Sequence, residues 1–148
     1  MKEYNFYGWQ TAEANPIAAE FAGISSPREL YDILSGVWSV QTCAPRFRPQ
    51  WSESNKTLGQ CSITAFLVQD IFGGDVLGTT VPGAGVHCYN SLPGCVFDLT
   101  SEQFGGRPVA YSQSDAVQQR EVQFADEEKK ARYEYLRSAV LSFLAQRK

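Results

Sequence analysis

Apolar residues recur at helical spacing in three stretches of the chain, and short alternating runs lie between the second and the third. At Ser26 the order Ser-Pro-Arg-Glu supplies an N-cap, a proline at the first helical position and an acid three residues after the cap. Leu30, Ile33, Leu34 and Val37 then share one face, which predicts an amphipathic helix that Gly36 weakens at its end. From Cys61 to Phe72 apolar residues fall nearly all round, and Gly73-Gly74 stops the run. A helix without a polar face belongs at the centre of a domain. Val76 to Val81, Val86 to Leu92 and Cys95 to Leu99 read as strands, the last two forming a hairpin about Pro93-Gly94. Thr100-Ser101-Glu102-Gln103-Phe104 has capping-box spacing for one helical turn, and Gly105-Gly106-Arg107-Pro108 breaks it. A last helix is predicted from Asp126 to about Gln146. It carries Tyr133, Leu136, Ala139, Val140, Phe143 and Leu144 at helical spacing, acids in its first turn and Arg147-Lys148 at its tail.

The remaining stretches lack a period. Residues 1–25 are mixed, with Tyr4, Phe6, Tyr7 and Trp9 among polar neighbours, and read as an N-terminal extension that docks on the domain or belongs to a partner surface. Residues 42–59 form a long irregular approach to Cys61 anchored by Phe47 and Trp51, and residues 109–125 a polar connection. Helices, antiparallel strands and a closing helix make an α+β plan, with residues 26–148 as a single domain. A chain of 148 residues supports one hydrophobic core.

Composition narrows the function. A net charge of −3 with scattered Lys and Arg leaves no footprint for nucleic acid or an anionic membrane. No apolar stretch approaches the roughly 18 residues of a membrane span, and Met1 to Phe6 lacks the plan of a signal peptide. The expected compartment is therefore the cytoplasm, where the four cysteines stand as free thiols.

Chemistry then concentrates on three residues. Cys61 opens the central helix, the only histidine, His87, follows 26 residues later, and Asp98 stands eleven beyond that. A cysteine becomes a strong nucleophile when held as thiolate, and unpaired N–H groups at a helix N-terminus or a nearby imidazole do this. A two-residue Pro93-Gly94 loop pairs Leu92 with Cys95, which makes His87 and Asp98 diagonal neighbours on one face, roughly 7–8 Å apart at the backbone. Pro-Gly favours a type II turn, which suits a two-residue hairpin poorly, and a slip by one residue would part them. Each residue also has a structural reading: Cys61 as a small buried hydrophobe, His87 as a structural histidine, Asp98 as the cap of the short helix after it. Zinc is the competing use of thiolate and imidazole, but Cys61, His87, Cys88 and Cys95 lack a paired Cys-x-x-Cys, and no metal or other cofactor is expected.

The strings Gly59-Gln60-Cys61, Val68-Gln69-Asp70-Ile71-Phe72-Gly73-Gly74, His87-Cys88-Tyr89-Asn90, Leu92-Pro93 and Asp98 to Phe104 resemble the bacterial YunG-like family. Such proteins look like distant relatives of the papain-like cysteine hydrolases and transglutaminases. The resemblance implies a papain-like α+β fold, a central Cys-bearing helix packed on a small antiparallel sheet and flanked by an N-terminal and a long C-terminal helix. It implies Cys61 as nucleophile, His87 as general base and acid, and Asp98 as orienter. Backbone N–H of Cys61, with the side-chain amides of Gln60 and Asn55, would serve the oxyanion. The implied activity is hydrolysis or acyl transfer at an amide or isopeptide-type bond of a peptide or small amide. The alternative is an inactive papain-like module that binds a ligand or protein. The substrate and the oligomeric state are open at this point.

Overall fold

The computed structural model describes residues 2–147. Met1 and Lys148, the latter read above as part of a cationic helix tail, lie outside the described residues. The architecture is α+β: a four-stranded antiparallel sheet and several helices, the longest at the C-terminal end.

Helix α1 (Pro27–Ser35) begins as its sequence requires, with the Ser26 hydroxyl accepting from Glu29 N–H and the Glu29 carboxylate accepting from Ser25 N–H. Helix α2 (Cys61–Phe72) is buried from Ile63 to Val68 and again at Ile71 and Phe72. Its apolar surface is enclosed because nothing on that stretch can face water. The strands are β1 (Asp75–Val81), β2 (Gly85–Leu92), β3 (Cys95–Phe97) and β4 (Ala116–Val117), in sheet order β3-β2-β1-β4. Helix α2 packs across β2, where the buried Asn90 amide donates to the Ala65 carbonyl at 2.9 Å. That bond satisfies the polar exception on an otherwise apolar strand face. A short turn, α3 (Arg120–Gln123), leads to α4 (Glu127–Arg147), capped by the Asp126 carboxylate on Lys129 N–H. Tyr133, Leu136, Val140 and Leu144 of α4 join the core, whereas Phe143, grouped with them by spacing, is 41% exposed.

The hairpin pairs Leu92 with Cys95. Its turn is nevertheless of type II, with Gly94 at φ 80°. Strand β3 leaves the ladder at Phe97, two residues short of the strand end that the sequence predicts. Beyond it Asp98 pairs instead with Tyr7. The polar connection of residues 109–125 also holds more structure than its composition suggests, since β4 adds to the free edge of β1.

The N-terminal stretch packs on the domain. Phe6, Ala12, Phe21 and Ile24 are buried in the common core. Asp98 N–H donates to the Tyr7 carbonyl at 3.0 Å, and Tyr7 N–H to the Ser101 hydroxyl at 2.8 Å. Gly8 makes this approach possible: its φ is 80°, and a Cβ there would lie 2.1 Å from the Val96 carbonyl oxygen. Gly8→Ala should therefore lower the unfolding free energy by about 1–3 kcal/mol, measured by urea denaturation, and an unchanged midpoint would mean that the segment contributes nothing to the fold.

Candidate functional site

Cys61 is the first residue of α2, and its position is set by the loop before it. Gly59 has φ 73° and lies so close to Cys43 that a Cβ would stand 2.6 Å from its sulfur. The close approach lets Ala44 N–H donate to the Gly59 carbonyl at 2.9 Å, which ties the long loop to the start of α2. Gln103 braces the same point, its Oε1 accepting from Gly59 N–H and its Nε2 donating to the Thr100 carbonyl. Cys61 thus emerges half-buried where the first backbone N–H groups of the helix are unpaired.

A cleft of about 580 Å³ opens on the thiol, and His87, Cys88, Phe104, Phe47 and Lys129 line it as well. His87 lies on β2 and is 2% exposed. Its Nε2–H donates to Asp98 Oδ2 at 2.5 Å, and the Phe104 ring meets the imidazole edge-on at 4.8 Å. Asp98, 1% exposed, accepts on both oxygens. Oδ1 receives Thr100 N–H at 3.1 Å and the Thr100 hydroxyl at 3.2 Å, an Asx turn, while Oδ2 receives His87 and the Tyr111 hydroxyl at 2.6 Å. Asp98 therefore both caps the turn that follows it and fixes the ring, one oxygen for each. An ionised carboxylate only accepts, so His87 Nε2 carries a proton and Nδ1 is the nitrogen left for the thiol.

The charges follow from this packing. A hydrogen bond from the Cys88 thiol draws Cys61 down against the opposing effect of burial, and the hydrogen bond and positive charge of His87 carry it well below the ordinary thiol range. Burial opposes the charged form of His87, but its hydrogen bonds to Asp98 and Cys61 and their negative charges hold it up at about 10. The Cys88 thiol is pushed well up by its hydrogen bond to Cys61 and by burial. The favoured state is a Cys61 thiolate beside a His87 imidazolium, with Cys88 as a protonated donor.

The other proposed contributors lie elsewhere. Gln60 is fully buried, its Nε2 donating to the Ser39 carbonyl at 3.1 Å and its Oε1 without a protein partner. Asn55 lines a separate cavity with Tyr31, Ser35 and Trp38. The structure thus gathers Cys61, His87 and Asp98 and does not bring either amide to the cleft. Cys95, one of the four thiolate and imidazole groups weighed for zinc, lies against the Glu13 carbonyl at 3.7 Å. Among the described residues no group of three or more His, Cys, Asp or Glu has the arrangement to hold a metal ion, and no helix is long and apolar enough to cross a membrane. Sequence reasoning missed Tyr111 and Tyr7 at this site. Neither sits in a motif: Tyr7 stands out only as one of four aromatics in a mixed stretch, and nothing marks Tyr111 in the polar connection of residues 109–125.

The chain matches the family model described as YunG protein over residues 26–145, and it belongs to that family. It is 37% identical to the protein YunG of Bacillus subtilis (strain 168) over 107 residues, which cover 72% of this chain and 84% of that relative. No solved structure matches it.

The thiolate–imidazolium pair has a signature in stability. A group held up, such as His87, stabilises the fold fully below its unfolded value and loses this as pH rises through its folded value; a group held down, such as Cys61, does the reverse. Between their ordinary values of 6.5 and 9.0, the folded pair carries one proton on His87 and the unfolded pair one on Cys61, so the pair's contribution is level. Below 6.5 the unfolded chain binds the more protons and stability falls with acid; from 9.0 to about 10 the folded chain binds the more and stability falls with base. Urea unfolding of the wild type minus that of a Cys61→Ala, His87→Ala double variant should trace this plateau with two falling limbs. A difference that is flat across the whole range would rule out the ion pair.

Proposed function

We propose that this member of the YunG family is a cysteine hydrolase or acyltransferase that acts on an amide or isopeptide-type bond through Cys61, His87 and Asp98. The observation that carries this reading is the pairing of a half-buried thiol and a buried imidazole in one cleft, with the far ring nitrogen tied to Asp98 at 2.5 Å. A helix with cysteine at its N-terminus facing a hairpin with histidine and aspartate is also the papain-like arrangement, which supports that assignment of the fold.

The chemistry needs no other group. The Cys61 thiolate attacks the carbonyl carbon, and the C=O electron pair moves to oxygen. Cys61 N–H, at the unpaired end of α2, stabilises that oxyanion. His87 gives its Nδ1 proton to the leaving amine as the C–N bond breaks, which leaves a Cys61 thioester and a neutral imidazole. Water or an acceptor amine then yields a proton to Nδ1, attacks the thioester and expels the thiolate. Asp98 stabilises the imidazolium throughout and keeps its ring aimed. The cleft suits a peptide segment or a small amide.

Iodoacetamide at pH 6 should alkylate Cys61 at least about tenfold faster than Cys43, Cys88 or Cys95, because only the thiolate reacts and the other three thiols are held up by burial or by Cys61 itself. His87→Ala should remove most of that advantage, read site by site by peptide mass spectrometry. An activated ester such as p-nitrophenyl acetate should give a burst of one equivalent of nitrophenolate with an acetyl group on Cys61, lost in Cys61→Ala. A Cys61 no more reactive than the other three, and indifferent to His87, would leave a binding cleft in place of an enzyme.

A further inference from the structure

We propose that Tyr111, braced by Tyr7 of the N-terminal segment, is a positioning residue that keeps Asp98 aimed at His87. The proposal rests on the catalytic reading given above and extends it to residues outside the cleft wall.

The geometry begins at one oxygen. Asp98 Oδ2 accepts both His87 Nε2–H at 2.5 Å and the Tyr111 hydroxyl at 2.6 Å. A carboxylate removed from water is costly unless its lone pairs are filled, and Tyr111 supplies the donor that water would otherwise provide. Burial and the adjacent Asp98 charge push the Tyr111 phenol far up, so it stays protonated and remains a donor.

Tyr111 is itself held on two sides. The Tyr7 ring stacks on it at 4.0 Å and 20° between planes, and Tyr89 meets it edge-on at 4.8 Å. The backbone around it is pinned where the Thr79 hydroxyl donates to the Ala110 carbonyl at 3.1 Å. Tyr7 acts twice, because its carbonyl also accepts Asp98 N–H at 3.0 Å. It lies outside the matched family region, residues 26–145, so this chain completes its site with a segment beyond that region.

The titratable groups facing the His87–Asp98 pair are Cys61 from α2, Cys88 from β2 and Tyr111. Across the cleft, α4 presents Glu128, Lys129 and Arg132, with Asp126 at its cap and Arg46 opposite. Removal of the Tyr111 hydroxyl leaves those charges where they are and takes one donor from Asp98. An oxygen that loses one of its two donors is held less firmly against Nε2–H, and a His87–Asp98 bond held less firmly stabilises the proton on His87 less.

The chain's single histidine makes this measurable without assignment variants. In ¹⁵N-histidine NMR titrations, Tyr111→Phe should lower the proton affinity of His87 by about three- to tenfold. The acid limb of Cys61 alkylation should move to higher pH by the same factor, with the rate at high pH unchanged. Tyr7→Ala should shift both in the same direction, and Tyr7→Phe, which keeps the stacked ring, should restore them. Superimposable wild-type and Tyr111→Phe titrations, with His87→Ala still slowing Cys61, would overturn the positioning role and leave the catalytic reading standing. A Tyr111→Phe rate lowered equally at every pH would also overturn it, since a loosened fold explains that result. If His87→Ala fails to change Cys61 reactivity, the catalytic reading falls and the role of Tyr111 falls with it.

Discussion

The middle of helix α2, from Ile63 to Val68, cannot be left in water, and the rest of the molecule is arranged around that constraint. Its residues from Ile63 to Val68 are buried on every side, so the sheet covers one flank and α4 another, while the N-terminal segment fills the gaps with Phe6, Phe21 and Ile24. Enclosed from Ile63 to Val68, the helix meets solvent chiefly towards its two ends, at Cys61 and Ser62 and at Gln69 and Asp70. At the C-terminal end Gly73 turns the chain into β1; at the N-terminal end stands Cys61, at the mouth of a cleft. The position of Cys61 is therefore a by-product of enclosure: the one place where a buried helix still offers unpaired N–H groups to something outside.

The second constraint is electrical. Asp98 is buried, and a buried carboxylate persists only with its lone pairs occupied. Four donors converge on it, two from Thr100 and one each from His87 and Tyr111. That demand organises the polypeptide for some distance. It shapes the Asx turn after β3, draws the segment around Tyr111 over the sheet and gives the N-terminal segment a place to dock. Gln103 then links the turn at Thr100 to Gly59, so the Asp98 side and the Cys61 side of the site are tied through one side chain.

Much of this was legible in the chain wherever a local rule applies. The cap at Ser26 predicts the start of α1, the apolar run after Gln60 predicts a central helix, and the two-residue loop at Pro93-Gly94 predicts the pairing of Leu92 with Cys95. The adjacency of His87 and Asp98 follows from that register, although the end of β3 does not, because the strand is cut short by a partner 91 positions earlier, at Tyr7. Long-range partners are what the sequence conceals. Tyr111 sits in a polar stretch with no period, and its role depends on Tyr7 and Asp98 arriving from other elements. Gln60 and Asn55 show the opposite failure: both are near Cys61 along the chain, yet Gln60 turns into the core toward Ser39 and Asn55 into another cavity. Proximity in sequence says little about which way an amide points.

The bond between Tyr7 N–H and the Ser101 hydroxyl spans 94 residues, and it bears on how the molecule comes into being. Contacts between distant parts of a chain form late, because the loop between them must first be closed. During synthesis the thiol emerges well before its histidine, the histidine before its aspartate, and the N-terminal segment must wait for all of them before it can settle. Cys61 thus exists for a time as an ordinary cysteine, and its lowered proton affinity is a property of the finished fold. A chain built in this order brings Cys61, His87 and Asp98 together only once its distant segments have met.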